Sequence, residues 1–315
     1  MDTTKRTKLL QYCRLSQSHL KTFLESELLR QRGKERVESR DGFLYSPGSH
    51  PVLLVAHLDT VHKKLPTTFY LYDGDVLHCN EGIGGDDRCG VFIIMELIER
   101  LDCHVLFTED EEIGGLGAIQ FSESGIKPEV QYIVEFDRQG KDEAVFYGCD
   151  NVQFTDFVER HGFWQNIGTF SDISYIAPAL GIAAVNLSCG YYHAHTAHEV
   201  IRMSDLDSII ERAAGLLSHV DTEYEYIEER WDWATDWNRE TRCPYCGQMI
   251  DQATFYDNCP RCGLSFLLQC DECGHEEWVG DCVVIQNSIY CRHCLDGYRH
   301  RLAAPLSQSL LAFTR

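Results

Sequence analysis

Pro51-Val52-Leu53-Leu54-Val55-Ala56 is an unbroken apolar run, and His57 and Asp59 stand directly beyond it. A strand that is apolar on both of its faces is typical of a parallel sheet that helices cover on both sides. In such sheets, binding residues follow the carboxyl ends of the strands. The run therefore predicts a buried parallel strand with a functional site where His57 and Asp59 leave it.

The same pattern of apolar strand, polar residues and helix recurs along the first two thirds of the chain. The predicted elements are strands 103–107, 131–135 and 182–187, and helices 3–30, 87–101 and 204–220, the last one capped by Ser204. A hairpin is predicted around Arg40-Asp41-Gly42. This alternation predicts an α/β domain of three layers, α/β/α, with a mainly parallel sheet.

Composition and charge narrow the classes of protein that fit. The 315 residues suit one large domain and one small one, and 28 Lys plus Arg against 49 Asp plus Glu give a net charge of −21. Such a charge disfavours nucleic acid and anionic membrane as partners. The sequence shows no apolar segment typical of a bilayer span or a signal peptide, and eight of the fifteen cysteines form Cys-x-x-Cys pairs. We therefore predict a cytoplasmic, zinc-binding protein without a membrane segment.

Five short motifs near the predicted strand ends supply the chemistry of metal ligands. In chain order they are His57-Leu58-Asp59, Gly85-Asp86-Asp87, Asp110-Glu111-Glu112-Ile113-Gly114, Glu135-Phe136-Asp137 and His195-Thr196-Ala197-His198-Glu199. From their three histidines and their acidic residues they can supply two imidazole ligands, carboxylates for two cations and a spare glutamate. A hydrolase with two zinc ions needs such a set, because both ions bind one water and a nearby base takes its proton.

Longer segments around these motifs carry a resemblance to a known superfamily. They are Val55-Ala56-His57-Leu58-Asp59-Thr60-Val61, Gly84-Gly85-Asp86-Asp87-Arg88-Cys89-Gly90 and Thr108-Glu109-Asp110-Glu111-Glu112-Ile113-Gly114. They resemble the co-catalytic zinc exopeptidases, which include peptidase T, glutamate carboxypeptidases, acetylornithine deacetylase and bacterial zinc aminopeptidases. Residues 168–172 and 190–199 are similar to the peptidase T branch, and the whole resemblance covers about residues 5–220.

The resemblance implies a role for each ligand. Asp86 would bridge two zinc ions, the first completed by His57 and Asp137, the second by Glu112 and His195. Asp59 would accept the other ring N–H of His57 and so fix its tautomer. Glu111 would be the general base that deprotonates the water and later protonates the leaving amine. Because the family often has a cis peptide after the bridging aspartate, the Asp86–Asp87 bond is expected to be cis.

Neighbouring residues of the same type leave alternatives open. Glu111 and Glu112 are adjacent and could exchange roles, so their assignment follows the order found in the family. His193, His195 and His198 compete for one ligand position, and His195 matches the His-Thr-x-x-Glu pattern of the resemblance.

Three further polar residues have weaker indications. Ser171 and Asp172 are candidates for substrate binding, with a turn or a helix cap as an equal alternative. His62 is interpreted as a loop histidine that could line the cleft.

The chain departs from many relatives in the segment before its last ligand. Those relatives insert a lid or dimerisation domain there, whereas only 57 residues separate Asp137 from His195. We predict no lid, and hence neither a lid arginine for a substrate carboxylate nor the usual dimer surface. A lidless core resembles the zinc aminopeptidases more than the carboxypeptidases, and we expect a monomer or a weak oligomer.

The C-terminal part carries a second metal signature. It consists of four cysteine pairs, Cys243 and Cys246, Cys259 and Cys262, Cys270 and Cys273, and Cys291 and Cys294. Four thiolates complete one closed tetrahedral site, so sequential pairing predicts two zinc ribbons with two structural Zn²⁺, and an interleaved cross-brace is the alternative. Zinc would replace the core that so short a segment cannot build. The region has no lysine, which favours a protein partner, or a cap over the cleft, over nucleic acid.

These observations predict four regions and one leading function. The regions are a dinuclear zinc hydrolase domain at 1–222, an acidic aromatic linker at 223–240, tandem zinc ribbons at 241–298 and a tail at 299–315. The leading function is amide hydrolysis by an aminopeptidase or small-peptide hydrolase with two catalytic Zn²⁺, for which Co²⁺ or Mn²⁺ could substitute. The alternatives are an N-acyl amino acid deacylase and, in another class, a non-catalytic adaptor whose ribbons bind a protein.

Overall fold

The computed structural model describes residues 1–228 and, beyond them, residues 241–242, 249–250, 267–274, 276–278, 282–285, 288–291 and 294. The chain divides into two compact units, Met1–Glu229 and Arg230–Arg315. The boundary falls inside the predicted linker at 223–240. Residues 223–228 form backbone hydrogen bonds within the first unit, such as Ala183 N–H to the carbonyl of Tyr224.

The first unit contains all seven α-helices of the described residues. The helices are α1 Thr3–Cys13, α2 Gln17–Arg32, α3 Gly85–Leu97, α4 Leu116–Glu123, α5 Val152–Glu159, α6 Ile173–Leu180 and α7 Met203–Leu217, with a short 3₁₀ helix at Lys34–Arg36. The strands are β1 Glu38–Arg40, β2 Phe43–Ser46, β3 His50–His57, β4 Tyr70–Tyr72, β5 Val76–His78, β6 Cys103–Thr108, β7 Tyr132–Arg138, β8 Glu143–Val145, β9 Trp164–Gln165, β10 Ala184–Ser188, β11 Tyr191–Tyr192 and β12 Val200–Arg202.

The main sheet has eight strands in the order β1-β2-β6-β3-β7-β10-β8-β9. Its central strands β6, β3, β7 and β10 are parallel, and antiparallel pairs flank them. The apolar run at 51–56 lies in β3, whose last six residues are buried. The predicted mainly parallel sheet is confirmed, as is the hairpin, since β1 and β2 pair with Arg40 opposite Phe43.

Helices cover both faces of this sheet. Val52, Leu54 and Ala56 belong to one buried cluster with side chains of α1, α2, α3, α5 and α7. Leu53 and Val55 belong to a second cluster with side chains of α4 and α6. Successive residues of a strand point to opposite faces, so a strand buried on both faces must be apolar throughout. The predicted three-layer α/β/α architecture is confirmed.

Two predictions about helices are wrong. The single helix expected at 3–30 is two helices, because Ser16 accepts the backbone N–H of His19 and starts α2 anew. Ser204 does not cap the last helix, which begins one residue earlier. Its hydroxyl and its backbone N–H both donate to the carboxylate of Asp75, at 2.8 and 2.7 Å.

A four-stranded antiparallel sheet in the order β11-β12-β5-β4 completes the first unit. β11 and β12 pair at Tyr191–Ile201 and Tyr192–Val200, so residues 193–199 form the loop between them. That loop carries the last of the five motifs. None of the helices in the described part of the chain combines the length and apolar character that crossing a bilayer demands.

The described strands of the second unit form three antiparallel pairs. They are Thr241–Arg242 with Met249–Ile250, Leu267–Gln269 with Glu276–Trp278, and Cys282–Ile285 with Ser288–Cys291.

Candidate active site

The carboxyl edge of the parallel strands brings the predicted ligands together. Parallel strands end at the same edge of a sheet, so residues far apart in sequence become neighbours. The residues reach this edge from β3 (His57), the first turn of α3 (Asp86), the loop after β6 (Glu111 and Glu112), β7 (Asp137) and the loop between β11 and β12 (His195). The Asp86–Asp87 peptide is cis, as the resemblance implies.

Asp86 lies at the centre of the site, with one carboxylate oxygen on each side. Its Oδ1 is 3.1 Å from Nε2 of His57, which is also 3.2 Å from Oδ1 of Asp137. Its Oδ2 is 3.1 Å from Nε2 of His195, which is also 3.1 Å from Oε2 of Glu112. The site therefore consists of two halves, each with one imidazole and one further carboxylate, that share Asp86.

These separations suit ligands of shared metal ions. Two ligand atoms at about 2.0–2.1 Å from one tetrahedral zinc ion lie roughly 3.4 Å apart. Three ligand atoms of His57, Asp86 and Glu112 lie within 4.8 Å of one another. Oε1 of Glu112 is buried and has no hydrogen-bond partner among the described residues. Nitrogen and carboxylate oxygen donors with a free buried oxygen fit divalent cations such as zinc.

The dense negative charge of the site perturbs the imidazoles. Hydrogen bonds to Asp86 and Glu112 raise the pKa of His195 to about 10. Burial disfavours the protonated form of His57, but the carboxylates of Asp137, Asp59 and Asp86 outweigh it and raise its pKa well above the ordinary range. The site thus attracts positive charge strongly, which is what a cation-binding site requires.

Asp59 connects the two halves through its carboxylate. Oδ1 accepts the Nδ1–H of His57 at 3.1 Å and the backbone N–H of Glu111 at 3.0 Å. Oδ2 accepts the backbone N–H of Glu112 at 3.0 Å. Asp59 therefore orients the His57 ring, as the resemblance implies. It also positions the segment that carries both glutamates, and this second role was not predicted from the sequence.

Glu111 and Glu112 take different places in the structure. Glu112 contacts His195, whereas Glu111 forms no hydrogen bond or ion pair with either imidazole and lines the cavity beside the ligands. Burial raises the pKa of Glu111 well above its ordinary range. The charge of His57 opposes this rise, and the negative charges of Asp137 and Asp172 add to it. A buried carboxyl group of this kind is suited to holding and releasing a proton.

Glu199, the last residue of the fifth motif, has a role that sequence reasoning missed. It is fully buried, and its Oε1 accepts the backbone N–H of Asp86 at 2.9 Å. Its Oε2 accepts the backbone N–H of Gly84 at 2.9 Å and lies 2.6 Å from Nε2 of His62. Glu199 thus fixes the backbone that presents Asp86. The signal in the sequence was its place in the His-Thr-x-x-Glu pattern.

Ser171 and Asp172 lie in a buried polar cluster and have no exposed surface through which to contact a substrate. The hydroxyl of Ser171 donates to the Glu135 carboxylate, and Thr108 donates to Asp172. Asn186 donates to Oγ of Ser171 at 3.1 Å. Asp172 also does not cap α6 through its side chain. Both residues support the sheet edge from within, and this corrects the substrate contact weighed from the sequence.

The ligands border a cavity of about 170 Å³. It is lined by Asp86, Glu111, Glu112, Asp137, Arg138, Gln139, Tyr147, Phe170, Tyr191, Ala194 and His195. Typical small-molecule pockets are about 300–1,000 Å³, so the site suits a small group. A second cavity of about 300 Å³ lies beside His78, Cys79 and His198 and includes none of the predicted ligands.

The three competing histidines are separated by their contacts. His193, His195 and His198 are all exposed to a large extent, but of these His195 alone has a described contact with site carboxylates. His193 and His195 both have positive φ, at 61° and 62°. This left-handed backbone is unusual for residues other than glycine and turns the loop sharply at His195.

The second unit holds a candidate metal site of thiols. Cys270, Cys273, Cys291 and Cys294 place their Sγ atoms within 4.8 Å of one another. Backbone hydrogen bonds, that of Cys291 foremost, lower the pKa of Cys270 to about 6, whereas hydrogen bonds with neighbouring thiols, that with Cys273 foremost, raise the pKa of Cys294. This grouping is the sequential pairing. The other predicted set, Cys243, Cys246, Cys259 and Cys262, lies outside the described residues.

No protein-family model matches the chain. A relative from Aspergillus terreus, named a probable carboxypeptidase, is 30% identical over 122 residues, which cover 36% of this chain and 28% of the relative. The chain thus matches less than a third of that relative's length.

Solved structures of peptidases share the fold. A tripeptidase of Staphylococcus aureus superposes with a TM-score of 0.55 at 11% identity, covering 68% of this chain and 96% of the other. An aminopeptidase of Desulfurococcus kamchatkensis gives a TM-score of 0.51 at 15% identity, covering 69% and 98%. Aminopeptidase PepT of Bacillus cereus gives 0.50 at 14%, also covering 69% and 98%. The resemblance to zinc exopeptidases is confirmed at the level of the fold.

Proposed function

We propose that the protein is a metal-dependent hydrolase of amide bonds, an aminopeptidase or small-peptide hydrolase that uses two divalent cations, zinc foremost. The observation that carries this proposal is the position of Asp86, whose two oxygens face His57 and His195 at 3.1 Å each. A single carboxylate flanked by two imidazoles in this way is suited to bridging a pair of ions. The structural neighbours named as tripeptidase and aminopeptidases, and the relative named as a probable carboxypeptidase, support amide hydrolysis.

The residues that would hold the two ions divide between the halves of the site. His57, Asp86 and Asp137 would hold one, and His195, Asp86 and Glu112 the other. Bound there, divalent cations would polarise the amide carbonyl and make a shared water more acidic.

Glu111 supplies the proton transfers of the proposed reaction. Its carboxylate accepts a proton from the attacking water and then delivers it to the nitrogen of the leaving amine. Glu111 lines the cavity beside the proposed ligands, so the same carboxylate can take the proton in the first step and release it in the second. Asp59 holds the backbone N–H of Glu111 at 3.0 Å and so keeps the carboxylate in place relative to His57.

A peptide and acyl-amino-acid library tests this function. Zinc-loaded wild-type protein and Glu111→Gln are incubated with a mixture of free-amine peptides and N-acylated amino acids, and cleavage products are identified by mass spectrometry. We expect cleavage by the wild type and a loss of about 10²- to 10⁴-fold in the variant, because general-base catalysis is worth that factor. Consumption of the free-amine peptides would indicate an aminopeptidase, and consumption of the N-acylated amino acids would indicate a deacylase.

Two outcomes would count against this function. Equal cleavage by Glu111→Gln would remove Glu111 as the base. No cleavage by fully metal-loaded wild type would favour the adaptor alternative. Far-UV circular dichroism of the variant checks that its fold is retained, so that a loss of cleavage is assigned to the missing carboxylate.

For the second unit we propose structural zinc sites. The support is the convergence of Cys270, Cys273, Cys291 and Cys294, which leaves no protein ligand missing from a tetrahedral site. Elemental analysis of the purified chain is expected to give about four zinc ions, two in the hydrolase site and two in the ribbons.

A further inference from the structure

Arg138 is a basic residue in the lining of a cavity whose other charged lining residues are mainly acidic. It is the last residue of β7, directly follows Asp137, and lines the cavity together with Asp86, Glu111 and Glu112. No other Arg or Lys lines this cavity in the part of the chain that the structure describes. The sequence signal was a basic residue next to a metal ligand.

The guanidinium of Arg138 is held in place but has donors to spare. Its Nε–H donates to Oε2 of Glu143 at 2.7 Å. The two Nη groups, which carry four of the five N–H donors of an arginine, have no hydrogen-bond partner among the described residues. The side chain is 24% exposed, so it is largely fixed and still accessible. Such a guanidinium is prepared to bind a planar anion through two parallel hydrogen bonds.

The backbone of Arg138 is anchored by the sheet. Its carbonyl accepts the backbone N–H of Cys189 at 2.8 Å, and Ser188 of β10 lies opposite it in the parallel ladder. Its positive charge also acts on Tyr147, another residue of the cavity wall. A side chain on a paired strand holds its position better than one on a free loop. Arg138 is therefore a fixed feature of the cavity wall.

The charges of the cavity determine where an anionic group could bind. Asp86, Glu112 and Asp137 are the carboxylates proposed to hold the two cations, so their negative charge would be offset when the ions are bound. Arg138 offers the one site of attraction from a Lys or Arg side chain among the described lining residues. Because Arg138 lines the same cavity as the proposed ligands, an anion bound to it would lie in the cavity in which the amide is cleaved.

We propose that Arg138 binds the carboxylate of the amino acid that is released as the free amine. The preferred substrates are then dipeptides or N-acyl amino acids, in which that carboxylate is adjacent to the cleaved amide. This inference rests on the proposed amide hydrolysis and names its substrate class. Arg138 lies on β7 of the first unit.

Matched acid and amide substrates test the proposal. The zinc-loaded wild type is assayed on leucyl-leucine and N-acetyl-leucine, and on the same compounds with a C-terminal carboxamide. We expect the free acids to be preferred by about 10- to 100-fold in kcat/KM, since a hydrogen-bonded charge pair contributes that factor. Arg138→Gln should abolish most of the preference, mainly through KM for the acids. Arg138→Lys should keep part of the preference for the acids, because lysine retains the positive charge but lacks the paired N–H donors of the guanidinium.

Controls separate binding from a structural role. Lys141→Gln removes an exposed cation three residues away that does not line the cavity, and it should keep the wild-type preference. If Arg138 served only as the ion-pair partner of Glu143, Arg138→Gln would lower the activity on acids and amides alike and leave their ratio unchanged. That result, or a wild type that cleaves amides as well as acids, would overturn the proposal.

A binding measurement makes the inference independent of turnover. Zinc-loaded Glu111→Gln, with and without Arg138→Gln, is titrated calorimetrically with N-acetyl-leucine and N-acetyl-leucinamide. If the acid binds more tightly than the amide and Arg138→Gln removes this difference, the inference is supported. This holds even if no substrate is cleaved, and then only the proposed function fails. Cleavage without any preference for the acid leaves the function standing and refutes the role of Arg138. Equal binding of acid and amide also refutes it.

Discussion

Replacing Asp59 by Asn tests whether one carboxylate holds the site together. The side chain of Asp59 is 13% exposed and accepts three N–H groups, from His57, Glu111 and Glu112, at 3.0–3.1 Å. Asn has only one carbonyl oxygen. If that oxygen keeps the two bonds made by Oδ1, the amide nitrogen faces the N–H of Glu112, and two donors oppose each other.

The magnitude follows from those three bonds. Hydrogen bonds to charged groups contribute about 1.5–3 kcal/mol each and neutral ones about 0.5–1.5 kcal/mol. One bond is lost and two become neutral, and water at the exposed edge offsets part of the loss. We expect the free energy of unfolding of Asp59→Asn to fall by roughly 2–4 kcal/mol. Zinc affinity should fall about 10- to 100-fold, because the tautomer and orientation of His57 are no longer fixed.

Urea unfolding followed by far-UV circular dichroism measures the stability loss in the first unit, which contains the α-helices of the described residues. Asp73→Asn is the matched control, since Asp73 is exposed at a turn with φ of 48° that Asn tolerates well. That control should change stability by less than about 0.5 kcal/mol. An Asp59→Asn loss as small as this, with unchanged zinc affinity, would refute the reasoning.

Further predictions concern residues outside the ligand set. Ser171→Ala should lower the free energy of unfolding by about 1–3 kcal/mol and leave KM within twofold, because its hydroxyl satisfies buried Glu135, and a large rise in KM would restore substrate contact. Burial lowers the pKa of His104 to about 4 from an ordinary 6.5. Below pH 6.5 the unfolded chain therefore binds the proton first, and stability should fall from pH 6.5 to 4 more steeply in wild type than in His104→Gln, as urea titrations at each pH will measure. Cys273→Ser should reduce the zinc content by about one ion per chain with cleavage retained, and an unchanged content would contradict the thiol site.

Much of the fold was predictable from local pattern. The apolar run at 51–56 predicted a strand buried on both faces, and β3 is such a strand. The predicted position of the site also follows from strand ends, which the sequence marks by a change from apolar to polar residues. The two wrong helix predictions arose where a single polar side chain decided the outcome. Ser16 ended a continuous helical pattern, and Asp75, remote in sequence, replaced the cap expected from Ser204.

The candidate ligands were predictable as residue types, but their partners were not. Adjacent Glu111 and Glu112 are equivalent in composition, and only the conformation of the loop after β6 places Glu112 against His195. Likewise, Ser171 and Asp172 were candidates for substrate binding because they are polar, but the residues packed around them leave neither side chain exposed.

The sequence by itself determined the three-layer architecture and the chemical types of the ligands, because periodicity and residue chemistry are local properties. The tertiary structure decided which groups meet. Each of these groups joins residues from different elements. Asp86 lies between two imidazoles, Asp59 accepts N–H groups from the loop after β6, and Glu199 accepts the backbone N–H of Asp86. Arg138 of β7 lines the same cavity as these ligands. Such contacts depend on strand order and register, which no single segment of the chain specifies.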